Sequence, residues 1–248
     1  MDFGLAERVA LVTGASRGLG FGIAEALTAE GARVAISSRS QERIEAAAAG
    51  IGARPFVHDS ADLAAAPRLV EAVESELGPV EILVTNTGGP PSGPDALAFA
   101  REQWEAAYRD LVLAPMALIE RVVPGMRERG WGRVVNVSSS AVREPLPNII
   151  LSNTHRAALL AGFKTLARQV AGDGVTVNSI LPGRFATERL YELSGGREAA
   201  EASGREVPAG RLGTPQEFGA AAAFLCSEQA AYITGVALLV DGGLTRSI

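Results

Sequence analysis

The chain has one cysteine, Cys226, and two histidines in 248 residues. A single thiol cannot close an intrachain disulfide. Two histidines cannot build a histidine-rich metal centre, and no zinc or iron ligand spacing occurs, so no metal is expected. Apolar runs are short as well: none approaches the ~18 residues a membrane-spanning helix needs. Met1–Thr13 lacks the apolar length and the flanks of a signal peptide. Basic clustering is absent too; the net charge of −5 leaves no nucleic-acid footprint. A cytoplasmic protein that binds neither membrane nor nucleic acid is expected. What is present is 47% hydrophobic and 21% charged residues, enough for one large α/β domain, residues 1–248, to bury a core.

Short apolar runs alternate with amphipathic stretches. Arg8–Thr13, Arg33–Ser37, Arg54–Val57, Ile82–Thr85, Arg133–Val137, Val175–Leu181 and Ala237–Val240 read as strands. Helices are expected over about Leu19–Glu30, Gln41–Ala49, Leu63–Leu77, Ser152–Ala171 and Pro215–Cys226. One long helix is expected over Arg101–Arg129, with Pro115 and Pro124 as bends. Nearly continuous apolar strands separated by helices imply a doubly wound, seven-stranded parallel sheet, a single-domain Rossmann fold. The alanine runs at 46–49 and 220–223 mark close helix packing. The polar, glycine-bearing stretch within about 188–208 breaks the pattern and is expected to be a mobile lid over a site.

The first strand runs into Thr13-Gly14-Ala15-Ser16-Arg17-Gly18-Leu19-Gly20, and a helix follows. Glycines allow the backbone to turn sharply and approach a pyrophosphate, which the unpaired N–H groups of the helix start then receive. A glycine-rich turn alone is weak evidence; its place between the first strand and the first helix of a βαβ unit is the context that gives it meaning.

From this turn onward the chain resembles the short-chain dehydrogenases/reductases, whose glycine motif is TGxxxGxG, and within them the 3-oxoacyl-acyl-carrier-protein reductase branch. The resemblance extends through Asn86-Thr87-Gly88 after strand four, Asn136-Val137-Ser138-Ser139 at strand five, Pro182-Gly183 with Thr187 at strand six, and Asp241-Gly242-Gly243 at the last strand. It implies a dinucleotide held by Gly14, Ser16, Arg17, Gly18, Leu19 and Gly20. It implies further contacts from Asp59 and Ser60 at the adenine, from Asn86, Thr87 and Gly88, and from Pro182, Gly183 and Thr187 at the nicotinamide. A carboxylate ending strand two would repel a 2′-phosphate; this chain has Ser38 and Arg39 there, with Arg17 on the same side, and NADP(H) is the expected cofactor.

The family's Asn-Ser-Tyr-Lys set is only partly kept. The serine is Ser139, but the tyrosine position is Ser152, the lysine position is Arg156 and the asparagine position is Asp110. A serine hydroxyl is too weak an acid to replace a tyrosine tuned by a neighbouring cation. Ser152 and Arg156 still share one helix face, and Arg156 keeps a donor for the ribose but will not release a proton. Arg156 and Ser139 are therefore expected to stabilise a developing alkoxide while water, His155 or Tyr191 supplies the proton, with Tyr108 a weaker candidate. The expected activity is NADPH-dependent reduction of a ketone or 3-oxoacyl carbonyl. The competing expectation is a silent, cofactor-binding homologue that acts as sensor or partner subunit. The Gly88–Pro94 loop is expected to wall the substrate pocket, and Arg127, Arg129 and Arg133 are the candidate receiver for an acidic acyl carrier protein. The resemblance also implies a homo-oligomer, dimer or tetramer, paired through the helices of Asp110 and Ser152.

Overall fold

The computed structural model describes residues 2–247. Its strands are β1 (Val9–Thr13), β2 (Arg33–Ser38), β3 (Arg54–Val57), β4 (Ile82–Thr85), β5 (Gly132–Val137), β6 (Val175–Pro182) and β7 (Ala237–Val240). They form one parallel sheet in the order β3-β2-β1-β4-β5-β6-β7. The central strands β1, β4 and β5 are buried at every residue, which is why they are written in Val, Leu and Ile. The largely exposed edge strand β3 tolerates Pro55, since an edge N–H is dispensable. The chain winds outward from β1 to β3, then returns to place β4 on the other side of β1. The crevice at the carboxyl ends of β1 and β4 is therefore where a doubly wound sheet takes its ligand.

Helices α1 (Gly18–Ala29), α2 (Gln41–Ile51) and α9 (Pro215–Cys226) belong to the core on one face, with Ile23, Leu27, Ile44 and Phe218 fully buried. Helices α3 (Ala66–Leu77), α5 (Ala114–Glu128) and α6 (Ile150–Val170) close the other face over Val70, Val122, Met126 and Phe163. Among the described residues no helix is long and apolar enough to cross a membrane.

The single long helix expected over 101–129 is three pieces. α4 (Arg101–Tyr108) and α5 are separated by a π-helical turn, Arg109–Leu113, in which the N–H of Ala114 bonds the carbonyl of Arg109. Pro115 supplies the cause. It has no N–H for the Leu111 carbonyl and its ring crowds that oxygen, so the ladder slips by one residue just upstream. Pro124, one turn before the end of α5, is accommodated inside the helix. The segment from 188 to 208 is also more regular than expected. It forms α7 (Glu188–Ser194) and α8 (Arg197–Gly204), joined at Gly195 and Gly196, both with positive φ.

Candidate functional site

The phosphate-binding turn is fastened from the side by β4. The Thr13 hydroxyl donates to the Asn86 carbonyl and accepts from the Asn86 N–H, both at 3.0 Å, and Asn86 Nδ2 donates to the Gly14 carbonyl at 2.9 Å. Gly14 has φ +59°, and a Cβ there would collide with the Asn86 carbonyl. A Cβ on Gly20 would lie 2.6 Å from the Gly14 carbonyl. Both glycines are therefore required by close backbone approach. Helix α1 begins at Gly18, and its cap residue Arg17 makes no side-chain capping bond, so the first N–H groups are left to an anion. Thr187, which caps α7 by accepting from the Leu190 N–H, has its methyl group 3.6 Å from where a Gly18 Cβ would be. The start of α7 thus lies over the turn that carries Ser16, Arg17 and Leu19.

Ser38 ends β2, half-buried, and Arg39 is exposed beside it. Asp59 is exposed after β3 and accepts the Ala61 N–H at 3.0 Å, with Ser60 between them. Asp110 sits in the π-turn. Desolvation raises its pKa, the Asp59 charge adds to that, and Arg39 and Arg109 oppose it. The charges Asp110 feels are thus those of the Asp59–Arg39 side. Asp110 is thus within electrostatic range of residues assigned to the adenosine half of a dinucleotide.

At the carboxyl end of β5, Ser139 caps a short 3-10 turn by accepting the Ala141 N–H at 3.1 Å. One turn into α6, Arg156 folds back over this strand end. Its Nε donates to Ser152 Oγ at 3.1 Å, and Nη1 donates to the carbonyls of Val137 at 2.8 Å and Ser138 at 3.1 Å. Ser152 and Arg156 are therefore one hydrogen-bonded pair, and Arg156 ties it to the strand end that immediately precedes Ser139. Desolvation lowers Arg156 to about 10, the Arg189 charge adding to it, so the guanidinium remains protonated at neutral pH. The Ser152 hydroxyl accepts from a cation, which leaves its own hydrogen free to donate elsewhere. Asn136, by contrast, accepts the Thr85 hydroxyl at 3.0 Å and serves to tie β5 to β4.

The other candidate proton donors are turned elsewhere. His155 is 9% exposed and wedged edge-on against Trp104, with Tyr108 on it at a 5.8 Å centroid distance. Its Nε2 is buried without a hydrogen-bond partner, and burial lowers its pKa, so it is the neutral imidazole that packs there. Tyr191 lies under the guanidinium of Arg197, 4.7 Å from its ring centre. The basic trio proposed for a carrier protein is not a free patch. Arg133 is 2% exposed and donates to the carbonyls of Ser227, Gly132 and Gly174; Arg127 pairs with Asp173 at 2.6 Å; Arg129 donates to the Val80 carbonyl. Strand spacing buried Arg133, and the other two are already engaged.

Sequence reasoning missed Arg189. From α7 it reaches over the loop after β4, donates from Nη2 to the Pro90 carbonyl at 3.0 Å, and occupies the space a Gly89 side chain would need. Glu192 lies between Arg189, at 3.9 Å, and Arg17, at 3.8 Å. The signal available was a cation two residues after Thr187 in an otherwise unpatterned segment. The Gly88–Pro94 loop and α7 thus meet across the mouth of the crevice.

Comparison with known proteins agrees with this architecture. The family described as Enoyl-(Acyl carrier protein) reductase matches residues 14–245. Dehydrogenase/reductase SDR family member 4 of Homo sapiens is 36% identical over 244 residues, 96% of this chain and 88% of that protein. The 3-oxoacyl-[acyl-carrier-protein] reductase FabG of Escherichia coli is 36% identical over 241 residues, 96% of this chain and 97% of that protein. Among solved structures, YwfH, an NADPH-dependent reductase involved in bacilysin biosynthesis, superposes with a TM-score of 0.92 at 29% identity, over 97% of this chain and 99% of that one. L-sorbose reductase from Gluconobacter frateurii, complexed with NADPH and L-sorbose, gives 0.91 at 33% identity over the whole of both chains.

Proposed function

The chain belongs to the short-chain dehydrogenase/reductase family of oxidoreductases, and we propose that it is an NADPH-dependent reductase of a ketone whose alkoxide is stabilised by Arg156 and Ser139. The observation that carries this reading is Arg156 itself, a guanidinium fixed by three hydrogen bonds to Ser152 and to the end of β5, one residue before Ser139. A fixed cation costs no reorganisation when negative charge develops next to it.

The residues present fit the dinucleotide: the Gly14–Gly20 turn leaves its amides open, and Arg17 with Arg39 and Ser38 suits a 2′-phosphate better than a bare hydroxyl. NADPH bound there supplies a hydride equivalent at the nicotinamide. Asn86, Thr87, Gly88, Asp59 and Ser60 border the adenosine half, and Pro182, Gly183 and Thr187 the nicotinamide half. Ser139 and Ser152 donate to the carbonyl oxygen. Arg156 remains charged and holds the oxygen as negative charge grows, and water delivers the proton, since none of Ser139, Ser152 or Arg156 is an acid near neutrality. Asp110 acts as a positioning group of the adenosine side. The same reading carries a cytoplasmic enzyme working as a homo-oligomer. Small exposed residues Ala157, Ala158, Ala161 and Gly162 on α6 suit close helix pairing across a two-fold.

The test is NADPH consumption against a panel of 3-oxoacyl, 2-oxo and dicarbonyl substrates. Turnover that drops about 10²–10⁴-fold in Arg156→Met supports the reading. If no ketone is reduced by the native chain, while Ser152→Tyr with Arg156→Lys gains reduction, the chain is a cofactor-binding partner or sensor instead.

A further inference from the structure

Four segments close a ring of contacts around the mouth of the crevice. On one side Arg189 of α7 donates to the Pro90 carbonyl of the loop after β4. That loop joins the loop after β5 through the Gly93 N–H, which donates to the Asn148 carbonyl at 2.9 Å. The loop after β5 is also held to α6, Asn153 Nδ2 donating to the Leu146 carbonyl at 2.8 Å. The fourth segment follows β7. It is rooted at Gly183, whose N–H donates to the Val240 carbonyl at 3.0 Å and where a Cβ would lie 2.6 Å from the Asp241 Cβ. Gly183 leads through Thr187 into α7, which completes the ring.

The Asp241 carboxylate turns this last segment by accepting the N–H groups of Gly243, at 2.9 Å, and Thr245, at 2.8 Å. Its far end is then caught by Glu144, half-buried in the loop after β5. One oxygen, Oε1, accepts the N–H groups of both Arg246, at 2.5 Å, and Ser247, at 2.7 Å. In the sheet β6 lies between β5 and β7, so residues 241–247 span the carboxyl end of β6. Glu144 is itself one short turn from Ser139, its N–H donating to the Ser140 carbonyl at 3.2 Å.

We propose that Glu144 is a specificity-determining residue, which latches residues 241–247 as a wall of the substrate pocket and so restricts the site to compact ketones. The proposal rests on the reductase reading above and narrows its substrate class. A segment that follows the last element of a fold stays loose unless it is tied down. Among the described residues, the hydrogen bonds that tie this one to the loop after β5 are the two to Glu144. A carboxylate receiving two backbone N–H groups is a charge-assisted tie, and it lies on the Ser139 side of the ring. A ketone whose oxygen is received at Ser139 therefore has this wall next to its substituents. Fixed walls discriminate by size, about 10-fold or more for a group that does not fit.

The experiment compares the native chain, Glu144→Ala, Glu144→Gln, a chain ending at Thr245, and Glu144→Ala within that shortened chain. Hydrogen exchange at the Arg246 and Ser247 amides is read with NADP+ bound in the chains that keep them. Protection in the native chain, lost in Glu144→Ala and partly kept in Glu144→Gln, is expected. With saturating NADPH, kcat/KM is measured for 2,3-butanedione and for methyl 3-oxooctanoate. The native chain is expected to prefer the compact ketone. Glu144→Ala and the shortened chain should each move the ratio toward the long one by about 10-fold, chiefly through KM. Combining the two changes should add nothing further, since both break one contact. Amides that are unprotected in the native chain, or unmoved by Glu144→Ala, overturn the latch. A ratio that holds while the amides open overturns the specificity role and leaves the reductase reading standing. If no ketone of the panel above is reduced, that reading fails, and the two compounds are titrated calorimetrically into the NADP+ complex. Binding of the long compound gained in Glu144→Ala sustains the wall; equal binding to both chains, or to neither, overturns it.

Discussion

Asp110 is a carboxylate in a place that penalises its charge. Its pKa is raised by desolvation first and by Asp59 second, so the folded chain holds a proton that the unfolded chain has already released. The stability this group contributes is therefore fully present below the unfolded value, ~3.9, and is lost as pH rises through the folded one. Asp110→Asn should raise stability at pH 7.5 in urea melts, and the gain should shrink as the pH is brought down toward ~4. A gain of equal size at all pH values, or a loss, would show that packing and not charge governs the position. Residue identities at this scale were partly legible. The four-residue spacing of Ser152 and Arg156 announced a shared helix face, and their hydrogen bond bears that out. Arg189 was not legible, because its contact with Pro90 joins segments 99 residues apart and no periodicity encodes it.

Among the elements, the strands were the most readable. An all-apolar run four to eight residues long has one place to go in a parallel sheet, and the seven expected strands lie where the seven observed ones do, within a residue or two. The π-turn at 109–113 was not readable as such. Proline announces a disturbance, but whether the helix kinks, ends or slips by a residue depends on packing against its neighbours. The alanine run at 220–223 in α9 announced close packing, and here the structure gives the reason, which lies in the neighbouring glycines. A Cβ on Gly219 would collide with the carbonyl of Gly22, and a Cβ on Gly22 with the carbonyl of Pro215, so the two helices touch backbone to backbone. Gly219→Ala must push α9 away from α1, whose amino end forms the phosphate turn. The expected cost is ~1–3 kcal/mol in urea unfolding, with a weaker NADPH affinity beside it. Stability within a few tenths of the native chain would mean the pair can slide without strain. Loss of stability with unchanged affinity would confine the effect to the helix interface.

Over the whole molecule, both histidines are buried, His58 at 7% and His155 at 9% exposure, and they lie on different parts of the sheet's flanks. Burial lowers both below 6.5. Asp59 and Asp62 oppose this at His58 while Arg68 reinforces it, and the Trp104 backbone opposes it at His155. A histidine whose folded value is depressed stays neutral when folded, while the unfolded chain binds a proton as pH falls through about 6.5. The stability it contributes is present above that value and is lost on acidification. The chain should therefore lose stability between about pH 7.5 and 5.5, with a slope of at most about two protons. Two other titrations run the opposite way. Acidification relieves a net charge of −5, and protonation of Asp110 favours the folded state, so the histidine effect is cleanest in the Asp110→Asn background. In that background His58→Gln and His155→Gln should each reduce the slope, by at most about one proton, measured as the pH dependence of the urea midpoint at constant m. A native slope of zero in this window would mean that the buried imidazoles take up protons as readily as exposed ones. Their burial would then open to water on the timescale of unfolding, and the wedge of His155 between Trp104 and Tyr108 could not be the fixed contact that keeps this side chain away from Ser152.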